Sequence, residues 1–146
     1  MKLEGSYEIA APRQKVWDAF LDTDRVRQAI PGCEKMEPLG NDEYRAVMKV
    51  GVAAVKGTFE GKVRIGDKKP TESYRLSAEG SGAPGFVRSD TLITFADSGA
   101  GTRVSYSADV QIGGLIAGVG QRMIGGVSKM MADQFFNKMT ELVEKA

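Results

Sequence analysis

Hydrophobic and polar residues alternate from Lys2 to Ala10. Leu3, Gly5, Tyr7 and Ile9 share one side, and Lys2, Glu4, Ser6 and Glu8 the other. A period of two marks a half-buried strand. The period then changes. Pro12 suits a first helical turn. Within Pro12 to Asp22, residues Val16, Trp17, Phe20 and Leu21 fall on one helical face. A second short helix is expected over about Asp24 to Ile30, ending before Pro31-Gly32.

The middle of the chain returns to alternation. Ala46, Met48, Val50 and Val52 face one way, with Arg45, Val47, Lys49 and Gly51 opposite. A turn is expected near Val55 to Gly57. Phe59, Gly61, Val63 and Ile65 then alternate with Glu60, Lys62 and Arg64, which read as a solvated face. Gly66 to Pro70 is a turn cluster. Tyr74, Leu76 and Ala78 form the next inward set. Further strands run over Phe86 to Phe95, after a break at Gly80 to Gly85, and through Val104, Tyr106, Ala108, Val110 and Ile112. Closely spaced strands with turn signals between them pair consecutively and antiparallel.

From about Gly114 the period becomes helical. Leu115, Val119, Met123, Val127, Met130 and Met131 share an arc at 100° per residue, opposite Gln121, Arg122, Ser128 and Lys129. Further on, the apolar set is Phe135, Phe136, Met139, Leu142 and Val143. The stripe therefore rotates around the axis. A helix of about 30 residues is ~45 Å long and must curve around a sheet or bend near Gly125-Gly126. The expected fold is α+β, with one domain over residues 1–146. One strand, two short helices and six strands build a seven-stranded curved antiparallel sheet, which grips a long C-terminal helix. Gly61 and Gly80 are where such a sheet can bend.

Composition changes this picture by exclusion. The 146 residues carry 20 Lys and Arg against 19 Asp and Glu, a net charge of +1 without a basic run, so no nucleic-acid partner is expected. Histidine is absent, which removes Ser–His–Asp and Cys–His nucleophilic sites and imidazole-ligated metals. A lone cysteine, Cys33, allows neither an intrachain disulfide nor a thiolate zinc cluster. No metal or cofactor is called for. Met1-Lys2 is followed by no apolar stretch of the secretory kind, and no run approaches the length of a transmembrane helix. A cytoplasmic protein is expected.

Several segments then resemble one family. Ile9-Ala10-Ala11-Pro12, Val16-Trp17 and Ile30-Pro31-Gly32-Cys33-Glu34 look like the opening signature of the CoxG family of carbon monoxide dehydrogenase subunits. Gly57-Thr58-Phe59-Glu60-Gly61-Lys62-Val63 is similar to its central strand. Gly82 to Phe86, Ser107-Ala108-Asp109-Val110 and Gly114 to Gly118 continue the likeness over nearly the whole chain. The resemblance implies the helix-grip fold of the START/polyketide-cyclase superfamily, with an apolar ligand held between sheet and long helix. It further implies a lipid or quinone as that ligand and a molybdenum-containing dehydrogenase as partner. Many family members carry an extra C-terminal segment that could contact a membrane. Here the sequence ends at Ala146, directly after the helix, so membrane contact is expected to be peripheral at most.

The cavity is expected to be lined by Phe59, Val63, Leu76, Phe86, Tyr106, Met123, Val127 and Met130. All but Phe86 are in phase with the inward alternation or the helical arc; Phe86 requires a bulge beside Gly80 to Gly85. Met123, Met130, Met131 and Met139, with Met48 on a strand, either line this pocket or fill core gaps. Cys33 reads as a turn-side structural cysteine with only Lys35 nearby to lower its pKa. Arg88 and Asp90 read as a solvent-side ion pair. Gly114 to Gly120 fits no phosphate loop and is either a mobile cavity mouth or closely packed on the sheet. The expected function is non-catalytic binding of a hydrophobic small molecule. Two alternatives stay open: a cyclase- or hydrolase-type enzyme using Tyr7, Tyr44, Tyr74 or Tyr106 as acid or base, and an interaction protein that docks on a dehydrogenase.

Overall fold

The computed structural model describes residues 1–51 and 56–145. The elements run β1 (Lys2–Ile9), α1 (Arg13–Phe20), α2 (Thr23–Ala29), β2 (Cys33–Gly40), β3 (Glu43–Val50), β4 (Gly57–Lys69), β5 (Ser73–Gly82), β6 (Gly85–Ser98), β7 (Gly101–Gly113) and α3 (Gln121–Glu144). A 3-10 turn, Leu115–Val119, separates β7 from α3. The expectations placed on Val52 and Val55 lie outside the described residues.

The seven strands form one antiparallel sheet in the order β1-β7-β6-β5-β4-β3-β2. Among the described residues, the β1–β7 pairing alone joins strands distant in sequence, through Lys2↔Asp109 to Ile9↔Thr102. β2, whose limits the sequence pattern leaves undrawn, is an edge strand. Its Glu34, Lys35, Glu37 and Pro38 interrupt alternation because most of the strand is exposed on both faces, and an edge tolerates a proline.

Local chemistry sets the helix limits. The Asp22 carboxylate caps α2, accepting from the backbone N–H of Asp24 at 3.0 Å and of Arg25 at 3.4 Å. α3 begins later than the periodicity suggests. The break falls at Gly120, whose φ of +100° is a conformation that L side chains rarely adopt. Gly125 and Gly126 lie within the continuous helix and do not bend it out of register.

α1, α2 and α3 cover one face of the sheet. At one end the packing is dense. Trp17 meets Tyr74 and Phe95 edge-on, with ring centroids 5.7 and 5.3 Å apart, and Phe20 meets Phe95 at 5.5 Å. Phe136 and Met139 of α3 complete this core, Met139 with no exposed surface. Arg88 and Asp90 face solvent but do not pair with each other. Antiparallel register sets each beside a neighbouring strand, so Arg88 meets Glu79 at 3.8 Å and Asp90 meets Arg75 at 3.4 Å.

Candidate binding cavity

Residues opposite each other in antiparallel register point to the same face, so inward side chains form rows across the sheet. The aromatic row Tyr74–Ile93–Tyr106 joins the dense end to the cavity wall. Moving along the strands, the next row is Ile65–Leu76–Thr91–Ala108, then Val63–Ala78–Ser89–Val110, then Ala46–Gly61–Gly80–Val87. Side chains shrink from row to row. Two glycines and an alanine in the last of these leave a void beneath α3 that no side chain fills.

Two chambers result. The first, about 280 Å³, lies over Ala46, Gly61 and Gly80 and is roofed by Ile124, Val127 and Ser128 of α3 and by Ile116 of the 3-10 turn. The second, about 320 Å³, lies over Leu76, Thr91 and Ala108 and reaches Met36, Phe20 and Phe135. Met48, Val63, Ala78, Ser89, Val110 and Met131 line both. The chambers are therefore neighbours joined at the Val63–Ala78–Ser89–Val110 row, with Met131 above. Each is near the lower end of the ~300–1,000 Å³ typical of ligand sites. A larger depression of about 620 Å³ lies on the outer face, where Arg45, Glu60, Lys62, Glu79 and Arg88 surround the ring of Phe86 and leave it open to solvent.

Of the residues expected on the cavity wall, Phe59, Val63 and Val127 line the first chamber. Leu76, Tyr106 and again Val63 line the second. Three expectations need correction. Phe86 is 49% exposed on the outer face. Pairing runs unbroken from Gly82↔Gly85 to Ser81↔Phe86, so there is no bulge to turn Phe86 inward. Its ring instead covers Gly113, where a Cβ would lie 2.2 Å from it. Met123 and Met130 are 52% and 39% exposed. The helical face turned to the cavity carries Ile124, Val127, Ser128 and Met131. That face is rotated by about one residue from the hydrophobic arc, because Ser128 belongs to it. The methionines thus divide: Met48 and Met131 line the cavity, Met139 is core, and Met123 and Met130 face out.

The 3-10 turn packs on the sheet at one residue and is open at the next. Ile116 is buried against the first chamber, tied by its N–H to the Pro84 carbonyl at 2.7 Å, while Leu115 is 80% exposed.

Charged chemistry stays outside the chambers. Tyr7 donates to Asp133 in the seam between β1 and α3, and Lys129 lies 3.4 Å from the same carboxylate. Burial, then the bond to Asp133, raises the Tyr7 pKa, and that bond lowers the carboxyl of Asp133. The Lys129 ammonium sits 5.7 Å from the ring centroids of both Tyr7 and Tyr106. The Tyr106 ring walls the second chamber, but its hydroxyl is sealed from solvent without a hydrogen bond. Burial alone raises the Tyr74 pKa. Cys33 donates weakly to the Lys35 carbonyl at 3.4 Å, and burial raises its thiol pKa despite the charge of Arg27. A raised pKa lowers the thiolate fraction on which nucleophilic attack depends. Among the described residues no cluster of three or more potential ligands could hold a metal ion.

The family model for CoxG, a family of carbon monoxide dehydrogenase subunits, matches residues 5–144. The chain belongs to the CoxG family. A conserved protein from Geobacillus kaustophilus, known from its crystal structure, is 34% identical, with 99% of this chain and 96% of that one covered and a TM-score of 0.96. A START superfamily protein from Mycobacterium smegmatis, 12% identical over 99% and 97% of the two chains, superposes with a TM-score of 0.80. A Chromobacterium violaceum protein, 18% identical over 98% and 96%, gives 0.77. These last two establish the helix-grip fold alone. No curated protein matches. CoxG membership and the START-like fold together suggest a ligand-binding role. No helix among the described residues is long and apolar enough to cross a membrane.

Proposed function

We propose that this CoxG-family chain binds a hydrophobic small molecule, a lipid or quinone, in the two joined chambers and does not transform it. The observation that carries the reading is the cavity itself: apolar walls between sheet and α3, kept open by small inward residues such as Ala46, Ala78 and Ser89. Apolar surface moved from water into such a cavity gains ~25 cal/mol per Å². The tyrosine–carboxylate pair Tyr7–Asp133 lies in the β1–α3 seam and contributes to neither chamber wall. Tyr44, Tyr74 and Tyr106 do line the second chamber, but no Asp or Glu lines it beside them and burial holds Tyr74 neutral, which favours binding over acid–base catalysis. The partner we propose is a molybdenum-containing dehydrogenase in the cytoplasm, on the strength of the family match.

Native mass spectrometry of protein purified without detergent, followed by solvent extraction, tests the reading. A stoichiometric apolar adduct is expected. Protein that carries no adduct and takes up neither decylubiquinone nor a long-chain alcohol on incubation contradicts it.

A further inference from the structure

We infer that Ser89 is the specificity-determining contact of the cavity: it takes a single hydrogen-bonding group near the middle of an uncharged, elongated ligand spanning both chambers. This rests on the binding reading above and names the ligand's chemistry more closely.

Ser89 occupies an inward position of β6, between Val87 in the first chamber and Thr91 in the second. Inward rows lie ~7 Å apart along the strands, so Ser89 has roughly one row of cavity on each side. It stands in the row that joins the chambers, with Val63, Ala78 and Val110 beside it and Met48 and Met131 as the other shared walls. Every one of those neighbours is apolar. The other hydroxyl-bearing residues sit to one side of the junction: Ser128 lines only the first chamber, and Thr23, Tyr44, Tyr74, Thr91 and Tyr106 only the second. No described residue hydrogen-bonds the Ser89 hydroxyl.

A hydrocarbon lying across this row would seal that hydroxyl away from water with nothing to bond, a penalty larger than the worth of an ordinary hydrogen bond. A carbonyl or hydroxyl at mid-length removes the penalty. A charged group there would find no counter-ion, since the charged side chains near the floor, Glu60, Lys62 and Glu79, face the opposite side of the sheet and are exposed. A site built around one polar contact in this way rejects the analogue that lacks it.

The test displaces the uncharged fluorophore N-phenyl-1-naphthylamine with tridecan-7-one, tridecan-2-one and tridecane. Wild-type protein should prefer tridecan-7-one over the other two by about fivefold, the worth of one net hydrogen bond. Ser89→Ala and Ser89→Val should erase that preference while still binding tridecane, and Thr91→Val should retain it. Circular dichroism establishes that each variant is folded. Equal affinity for the three compounds in wild type, or a preference that survives Ser89→Ala, overturns the inference while leaving the binding reading intact. Failure of all three compounds to displace a bound fluorophore, or of the fluorophore to bind, overturns both.

Discussion

One continuous sheet serves two ends of the molecule in opposite ways. At one end Tyr74, Ile93, Phe95 and Tyr106 meet Trp17, Phe20 and Phe136 with almost no surface left exposed. At the other, Ala46, Gly61, Ala78 and Gly80 lie beneath Val127 and Met131 and leave room. The strand pairing and α3 continue through both; the aromatic end adds the cover of α1, the hollow end has only α3 and the 3-10 turn above it, and side-chain volume falls between them. Stability is therefore concentrated at the aromatic end and capacity at the hollow end, and substitutions should separate the two.

The largest effect belongs to the aromatic end. Trp17→Ala should cost ~3–5 kcal/mol, the usual loss for a buried large aromatic, measured by urea denaturation. A loss below about 1 kcal/mol would mean this end is not the stabilising one. At the hollow end, Ala78→Leu adds three carbons at the junction of the chambers. In a close-packed core such overpacking costs ~1–3 kcal/mol; here the change should stay below ~1 kcal/mol by the same denaturation.

The pH dependence sharpens the contrast further. The fold holds Tyr74 neutral by burying it, so its pKa is raised above the ordinary 10.0. The stability that goes with the neutral phenol is complete below about pH 10 and drains as pH rises beyond it. Tyr74→Phe should flatten the alkaline limb of stability against pH. The seam behaves in the opposite sense: Asp133 is held below its ordinary 3.8, so its contribution is present above about pH 4 and is lost on acidification below that. Asp133→Asn should flatten the acid limb and, by removing the carboxylate that helps raise Tyr7, soften part of the alkaline one as well. The smallest effect is expected at the outward face of α3. Met130→Phe should shift stability by no more than ~0.5 kcal/mol and leave N-phenyl-1-naphthylamine binding unchanged, because Met130 touches neither chamber.

Much of this contrast is legible in the amino-acid order, and the limits have physical causes. Alternation in β1, β4, β5 and β7 predicts which side chains face inward, since a strand buried on one face must repeat every second residue. The rotation of the apolar stripe between Met123 and Val143 anticipates one long helix lying across a sheet. Three features escape. β2 carries little periodicity because most of it is exposed on both faces. The helix starts after Gly120, and a positive φ leaves no trace in hydrophobicity. The third is the cavity. Hydrophobic patterning points to large residues, so it selects Phe86, Met123 and Met130, whereas a void is written in small ones. The visible signal is the inward placement of Ala46, Gly61, Ala78, Gly80 and Ser89 at matching registers. Gly61 and Gly80 stand out as strand glycines, and their pairing to each other emerges only with the register. At Gly61 no other residue fits, since a Cβ would lie 1.7 Å from the Glu79 carbonyl oxygen.

Ala78→Leu also gives the most direct test of the central claim, that the space over the small-residue rows is where an apolar molecule binds. Titration of wild type and variant with N-phenyl-1-naphthylamine should show saturable one-to-one fluorescence enhancement in wild type and at least a tenfold loss of affinity in Ala78→Leu, at unchanged circular dichroism. Equal affinity in the two proteins would contradict the account and put the binding site elsewhere.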